Sequence, residues 1–322
     1  MKKETNNKLK TLYLIAPCYN EQEVLPITYK QFVEKINELI KAKRVSKDSK
    51  VLFVNDGSKD NTWNIIKELS SKNNCVEGIC LSRNRGHQNA LLAGLMEAKD
   101  NCDITITLDC DGQHDINAVN LMLDKYDEGY EVVYGVRNNR SGDSFFKKVF
   151  SEIYYKLLNK LGGEIITNHA DYRLVSSKVL NEFKDFKEVN IFLRGLFPLV
   201  GFNSTTVNYD QFDREAGKSH YSLKKMLTLA IDGITSLSIT PIRIITGFGL
   251  FVTLLSFIYI IYSIISYFKG NTVQGWASMT CIICFVSGIQ LISLGIIGEY
   301  VGKTYMETKQ RPRYIISEKT YK

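Results

Sequence analysis

Charge is scarce in one part of this sequence. Residues 241–302 hold three charged side chains, Arg243, Lys269 and Glu299, and the runs 244–268 and 270–298 hold none. That scarcity excludes a wholly water-soluble chain, because the mean hydropathy of −0.12 averages a polar region with a membrane region. The remainder lacks an excess of either sign. Positions 1–240 carry 33 Lys+Arg against 31 Asp+Glu, and the surplus sits at 241–322, with eight against three. A nearly neutral soluble region excludes a general nucleic-acid binder. Cysteines lack framework spacing: there are seven, an odd number, at 18, 75, 80, 102, 110, 281 and 284. A disulfide scaffold is thereby excluded and a reducing compartment expected. Cys281 and Cys284 form a CxxC inside an apolar run and read as small lipid- or helix-facing residues. No Walker A, GxGxxG, HExxH or four-cysteine pattern occurs. The N-terminal apolar stretch before Pro17-Cys18 is too short for a signal peptide and reads as a first strand.

What is present is an alternation of short β-rich runs with longer helical patterns. Strands are expected at Thr11–Ala16, Val51–Asn55, Val76–Leu81, Ile104–Leu108 and Glu131–Tyr134. Helices are expected at Val24–Lys43, Thr62–Lys72, Gln88–Ala98, Asn117–Asp127 and Phe145–Leu161. This spacing predicts an α/β fold, a Rossmann-like, mostly parallel sheet with helices on both faces. Ser222–Thr240 has apolar residues at 3–4-residue spacing opposite Lys224, Lys225 and Asp232, an amphipathic helix suited to a membrane interface. Thr240-Pro241 is a helix start. The span 244–268 is about 37 Å long as a helix, enough to cross a bilayer core, and 276–297 returns. The organisation expected is a soluble domain at 1–221, the interfacial helix at 222–240, a membrane region at 241–300 and a basic tail at 301–322. Lys224, Lys225, Arg243, Lys303, Lys309, Arg311 and Arg313 flank the ends of the two spans, whereas the connecting turn has only Lys269. The positive-inside rule then puts the soluble domain and both termini in the cytoplasm. Gly298-xxx-Gly302 allows close helix packing and a homo-oligomer.

Ligands in such sheets bind beyond the carboxyl ends of the strands. Five consecutive strands run there into polar clusters: Pro17–Glu21, Asn55–Thr62, Ser82–His87, Asp109–Asp115 and Gly135–Arg137. Asp109-x-Asp111-x-Gln113 offers three oxygen donors, which suit Mg²⁺ or Mn²⁺ and a phosphate-bearing ligand. With other nucleotide motifs absent, a nucleoside diphosphate held through a metal is the best remaining reading. Arg137, Lys147 and Lys148 serve phosphates or form a solvated face. His87 and His169 are structural residues or ligands, and Arg173 either pairs with Asp171 or touches a ligand.

Taken in order, Pro17-x-Tyr-Asn-Glu21, Asn55-Asp-Gly-Ser58, the acidic turn, Asp171-Tyr-Arg173 and Arg214-x-x-Gly217-x-Ser219 resemble the family-2, GT-A-fold glycosyltransferases. With two C-terminal spans, the chain is most similar to the polyprenyl-phosphate group, which includes dolichyl-phosphate mannose synthase and GtrB-type bactoprenol glucosyltransferases. The resemblance implies a nucleotide-sugar cleft of Pro17, Tyr19, Glu21, Asp56, Asp109, Arg137 and Lys148, with Asp56 reading the base. It implies metal at Asp109, Asp111 and Gln113, and catalytic roles for Asp111, Asp171, Arg173 and Arg214. Acceptor phosphate would meet Arg214, Ser219 and His220, the last standing where the family commonly has lysine. The implied reaction inverts the anomeric carbon, taking a sugar (glucose first) from a UDP-sugar to polyprenyl phosphate at the bilayer. A flippase and a second glycosyltransferase would use the product for cell-envelope glycosylation. Two alternatives are a transferase with a hydroxyl or polymer acceptor and a non-catalytic nucleotide-sugar-binding scaffold. A processive synthase would carry QxxRW, and neither Trp63 nor Trp276 lies in such a motif.

Overall fold

The computed structural model describes residues 9–138, 169–189, 191–212, 240–269 and 275–321. The expected helices Phe145–Leu161 and Ser222–Thr240 (Thr240 apart), and the residues Lys147, Lys148, Arg214, Ser219 and His220, lie outside the described residues.

The chain runs β1 (Leu12–Cys18), α1 (Leu25–Lys41), β2 (Lys50–Asn55), α2 (Thr62–Lys72), β3 (Val76–Leu81), α3 (His87–Ala98), β4 (Ile104–Thr107), α4 (Ala118–Asp127) and β5 (Val132–Arg137). Then come β6 (His169–Ser176), α5 (Ser177–Phe183), α6 (Leu193–Leu199), β7 (Ser204–Tyr209), α7 (Thr240–Phe268), α8 (Trp276–Thr308) and β8 (Ile316–Lys319). The strands form one sheet in the order β7-β5-β6-β4-β1-β2-β3-β8.

The centre is β1, buried along its whole length because its residues are apolar on both faces. Leu12, Leu14 and Ala16 join Phe32 and Ile36 of α1 and Met122 of α4 in one core. Tyr13 and Ile15 point the other way, into a core with Leu91, Ala93 and Leu95 of α3 and Phe183 of α5. The five expected strands and the four described helices of the first half are present. The sheet is more mixed than expected, because β6 pairs antiparallel with both β4 and β5. Its sequence, His-Ala-Asp-Tyr-Arg-Leu-Val-Ser, carries charges on a strand that is buried throughout.

The apolar C-terminal segments form α7 and α8, each containing a stretch long and apolar enough to cross a membrane, Thr240–Tyr259 and Phe285–Thr308. Among the described side chains, large apolar ones on both helices face outward, Leu250 being 69% and Leu291 70% exposed. Lipid is the solvent such surfaces require. After α8 the chain returns to the sheet, and β8 pairs antiparallel with β3. Thr320 Oγ1 accepts the Gly78 N–H at 2.9 Å, and Trp63 Nε1 donates to Glu318 at 2.9 Å.

Gly94 lets α3 lie close against the sheet. A Cβ there would stand 2.5 Å from Ile15 Cγ2 and 2.8 Å from Val54 Cγ2, both in the rigid centre. Gly94→Ala is expected to destabilise the protein by about 1–3 kcal/mol, the usual cost of overpacking a core. Thermal melting of the purified full chain checks this; an unchanged transition would contradict the packing described.

Candidate active site

The carboxyl ends of β1, β2 and β4 and the start of α3 meet at one edge. The Asn55-Asp-Gly-Ser turn fits there because Gly57 has φ +61°, and a Cβ would lie 2.4 Å from the Arg83 carbonyl carbon. Asp56 is 3% exposed, and its two carboxylate oxygens accept the N–H groups of Arg85 (2.7 Å) and Gly86 (2.9 Å). It therefore fixes the β3–α3 loop, while its burial pushes its carboxyl pKa upward. Pro17 is buried in β1, and Tyr19 beside it is 36% exposed. Glu21 N–H donates to Thr62 Oγ1 at 2.9 Å, and the Glu21 carbonyl accepts the N–H groups of Val24 and Leu25 at the entry to α1.

The acidic turn follows β4. Asp109 N–H donates to His114 Nδ1 at 3.1 Å, and this bond assigns the ring proton to Nε2, 3.5 Å from Asp109 Oδ2. The His114 ring stacks on Tyr172 at 4.8 Å and meets Tyr209 edge-on at 5.4 Å. Burial pushes its pKa down, so it stands as a neutral brace. Asp111 is 5% exposed, and its Oδ1 accepts the Gln113 N–H at 3.1 Å across Gly112, whose φ is +73°. Gln113 O in turn accepts the Phe212 N–H at 3.0 Å. Arg137 Nε donates to Tyr209 Oη at 3.2 Å, which brings the end of β5 to the same edge.

Asp171 of β6 is the most elaborately held group. Arg194 of α6 binds it through two nitrogens, Nε to Oδ1 at 3.1 Å and Nη2 to Oδ2 at 2.9 Å. Gln88 Nε2 donates to Oδ2 at 3.2 Å, and its Oε1 accepts the Leu193 N–H at 3.0 Å. His87 Nε2 lies 3.3 Å from Asp171 Oδ2 and 3.7 Å from Asp109 Oδ1, linking the two carboxylates. Burial alone would raise the Asp171 pKa, but the Arg194 charge and the His87 contact hold it well below the usual carboxylate range. Burial lowers the His87 pKa, yet the hydrogen bond to Asp171 and the neighbouring carboxylates raise it overall. Arg173 is 2% exposed, with its guanidinium 4.5 Å over Phe197 and 5.5 Å over Tyr134. At 3.8 Å it supports Asp171 from behind.

Comparison with known proteins decides the family. A model described as Glycosyl transferase family 2 matches residues 13–183, more than half of the chain. The chain belongs to glycosyl transferase family 2. A second model, the GtrB C-terminal hairpin, matches residues 240–304 of this transferase, the α7–α8 pair. An uncharacterized glycosyltransferase, YkoT, of Bacillus subtilis is 46% identical over 96% of this chain and 92% of its own. The bactoprenol glucosyl transferase of Shigella phage SfX is 39% identical over 95% and 98%. Among solved structures, glucosyl-3-phosphoglycerate synthase from Mycobacterium tuberculosis aligns with a TM-score of 0.45 at 15% identity, over 71% of this chain and 78% of that one.

The fold of this glycosyltransferase thus brings Pro17, Tyr19, Glu21, Asp56, Asp109, Asp111, Gln113, Arg137, Asp171 and Arg173 to one edge of the sheet or directly behind it. Arg194, Gln88 and His114 were not singled out in the sequence. Arg194 sits in Phe192-Leu-Arg-Gly-Leu-Phe197, a lone cation in an apolar helix, and that isolation was its signal. Arg194→Ala is expected to cost about 3 kcal/mol, as when one partner of a buried pair is lost, and Arg194→Lys less. The depressed Asp171 pKa also stabilises the fold fully above the unfolded value of about 4, and that stabilisation is lost as pH falls through the folded value. Melting curves between neutral and strongly acidic pH should therefore be shallower for Arg194→Ala than for the parent.

Proposed function

We propose that this glycosyltransferase moves a sugar, glucose first, from a UDP-sugar to polyprenyl phosphate, inverting the anomeric carbon. The observation that carries the reading is the union of the acidic turn with the apolar α7–α8 hairpin in one chain. Relatives that match nearly end to end are named bactoprenol glucosyl transferases, which supports the acceptor class and the sugar.

The donor set suits a hard divalent cation, Mg²⁺ or Mn²⁺. Asp109, with a side chain 30% exposed, Asp111 and Gln113 offer carboxylate and amide oxygens on one turn that His114 and Phe212 brace. Among the described residues no group of three His, Cys, Asp or Glu could hold a metal alone, so donor diphosphate and water would complete the coordination. When bound, the cation would neutralise charge on the departing diphosphate.

The remaining roles fall to the chain. Tyr19 offers an exposed ring for the base, with Pro17 and Glu21 close to it in sequence. Asp56 shapes the cleft through the Arg85–Gly86 backbone, and base reading would use its remaining lone pairs. Arg137 and Lys148 meet phosphates. Arg214, with Ser219 and His220, is assigned to the acceptor phosphate on the resemblance of Arg214-x-x-Gly217-x-Ser219 to the family pattern. The acceptor needs little proton removal, since a phosphate monoester has a second pKa near 6. An Asp171 that is ionised and clamped by Arg194 suits this chemistry better than a hydroxyl acceptor, which would want a base poised near neutrality. Arg173 and Asp171 then position the site.

The return of β8 to the sheet supports a hairpin with both ends on the side of the soluble domain. With the basic flanks, we assign that side to the cytoplasm. The domain limits 1–221, 222–240, 241–300 and 301–322, a homo-oligomer, and a flippase and second transferase downstream belong to the same proposal.

The deciding experiment incubates purified protein with undecaprenyl phosphate and a panel of radiolabelled nucleotide sugars and follows label into the organic phase. UDP-glucose should give the strongest transfer, and no transfer from any sugar would overturn the reading. Asp111→Ala, or EDTA, is expected to reduce transfer more than about 100-fold, a loss of about 2.7 kcal/mol or more of transition-state stabilisation, while melting stays unchanged. A cysteine placed in the 270–275 turn, with Cys281 replaced, should react with an impermeant thiol reagent in intact cells, and one at Lys319 should not. The reverse pattern would refute the orientation.

A further inference from the structure

Beyond the catalytic edge, the structure holds a cavity, rimmed by charged side chains, where the membrane hairpin meets the soluble domain. Its volume is about 720 Å³. One wall is the end of α8, with Tyr300, Lys303 and Glu307; a second is the Lys187–Val189 loop before α6; the third is the returning tail at Gln310–Arg313. The walls are tied together. Both Glu307 carboxylate oxygens accept the Val189 N–H, at 2.7 and 2.9 Å, and Arg313 Nη1 donates to Phe186 O at 2.8 Å.

The lining carries four cations, Lys187, Lys303, Arg311 and Arg313, against two acids, Glu188 and Glu307. Lys303 lies 3.7 Å from Glu299. Among the described residues Lys187 and Arg311 make no ion pair. Glu188 Oε2 is buried without a hydrogen-bond partner among those residues, an acceptor awaiting a donor. Height matters as well. The charge-free run ends at residue 298, so Lys303 stands about 8 Å and Glu307 about 14 Å farther along the helix. The headgroup layer is about 5–7 Å thick on each side of the hydrocarbon. The cavity therefore begins at headgroup level, where Tyr300 lines it, and extends outward to Glu307 and the tail.

We infer that this junction cavity binds the phosphate of a bilayer phospholipid headgroup that also carries a donor, such as a hydroxyl or amine. Lys187, Arg311 and Arg313 take the phosphate, and Glu188 takes the donor. The site rests on the membrane reading of α7 and α8 and not on the transfer reaction, so it stands or falls separately from the proposed activity.

The test uses the full-length protein in nanodiscs of mixed phosphatidylglycerol and phosphatidylcholine, transferred to neutral detergent, with retained lipid measured by mass spectrometry. Retention of phosphatidylglycerol over phosphatidylcholine by about tenfold or more is expected. The double variant Lys187→Gln/Arg311→Gln should lower that retention at least about fivefold. A control of equal charge loss outside the cavity, Arg243→Gln/Lys309→Gln, should leave it nearly unchanged. Both variants should keep the parent's melting temperature, since they alter side chains at the surface. Equal losses in the two variants would mean diffuse attraction to anionic lipid and would overturn the site. So would equal retention of both lipids. Millimolar inorganic phosphate is expected not to displace the lipid; if it does, the cavity is a site for free phosphate and the lipid assignment is wrong.

Discussion

A single buried carboxylate holds the active edge together. Asp171 lies on a strand inside the sheet, and an ionised group there is tolerable only when charge and hydrogen bonds surround it. The two-pronged Arg194 contact, His87, Gln88 and the nearby Arg173 supply that surrounding. The partners outside its own strand come from two further elements, so satisfying one charge fixes β6, the start of α3 and the start of α6 relative to one another. The Thr107 hydroxyl, donating to the Asp171 carbonyl, ties the same strand to β4 and so to the acidic turn. The electrostatic requirement of one residue thereby becomes the geometry of a site.

The first half of the fold was legible because its strands are apolar runs and its helices have a buried stripe, as in Phe32, Ile36 and Leu39 of α1. The polar clusters were legible for the same reason, since they interrupt those runs at their carboxyl ends. β6 was not legible as a strand. Asp171 and Arg173 alternate with Tyr172 and Leu174, and a pattern of charge against apolar residues normally marks a strand with one wet face. Here the charged face is buried and neutralised by α3 and α6, elements distant in sequence. Arg194 and Gln88 escaped notice for that reason: their meaning lies in a partner that no local pattern reveals. β8, short and charged, pairs with a strand more than two hundred residues earlier.

The membrane part follows a different logic. α7 and α8 are apolar all round, so their sequence specifies a solvent more than a packing partner. Specificity returns only where charge does, at Glu299 and beyond, and there the chain bonds to the soluble domain through Glu307, Arg313 and β8. The loop held by Glu307 leads within a few residues to Arg194. Anchoring to the bilayer and assembly of the active edge therefore share one short stretch of backbone.

The placement of β8 also sets an order of events in biosynthesis. The ribosome makes β1 to β7 first, then both apolar helices, and only afterwards the strand that covers β3. Until the hairpin has left the ribosome, β3 presents an open row of backbone donors and acceptors, the kind of edge that recruits foreign strands. Completion of the sheet thus reports that the hairpin has been made and has doubled back. A chain whose last strand never reaches β3 leaves that edge uncovered and its sheet one strand short.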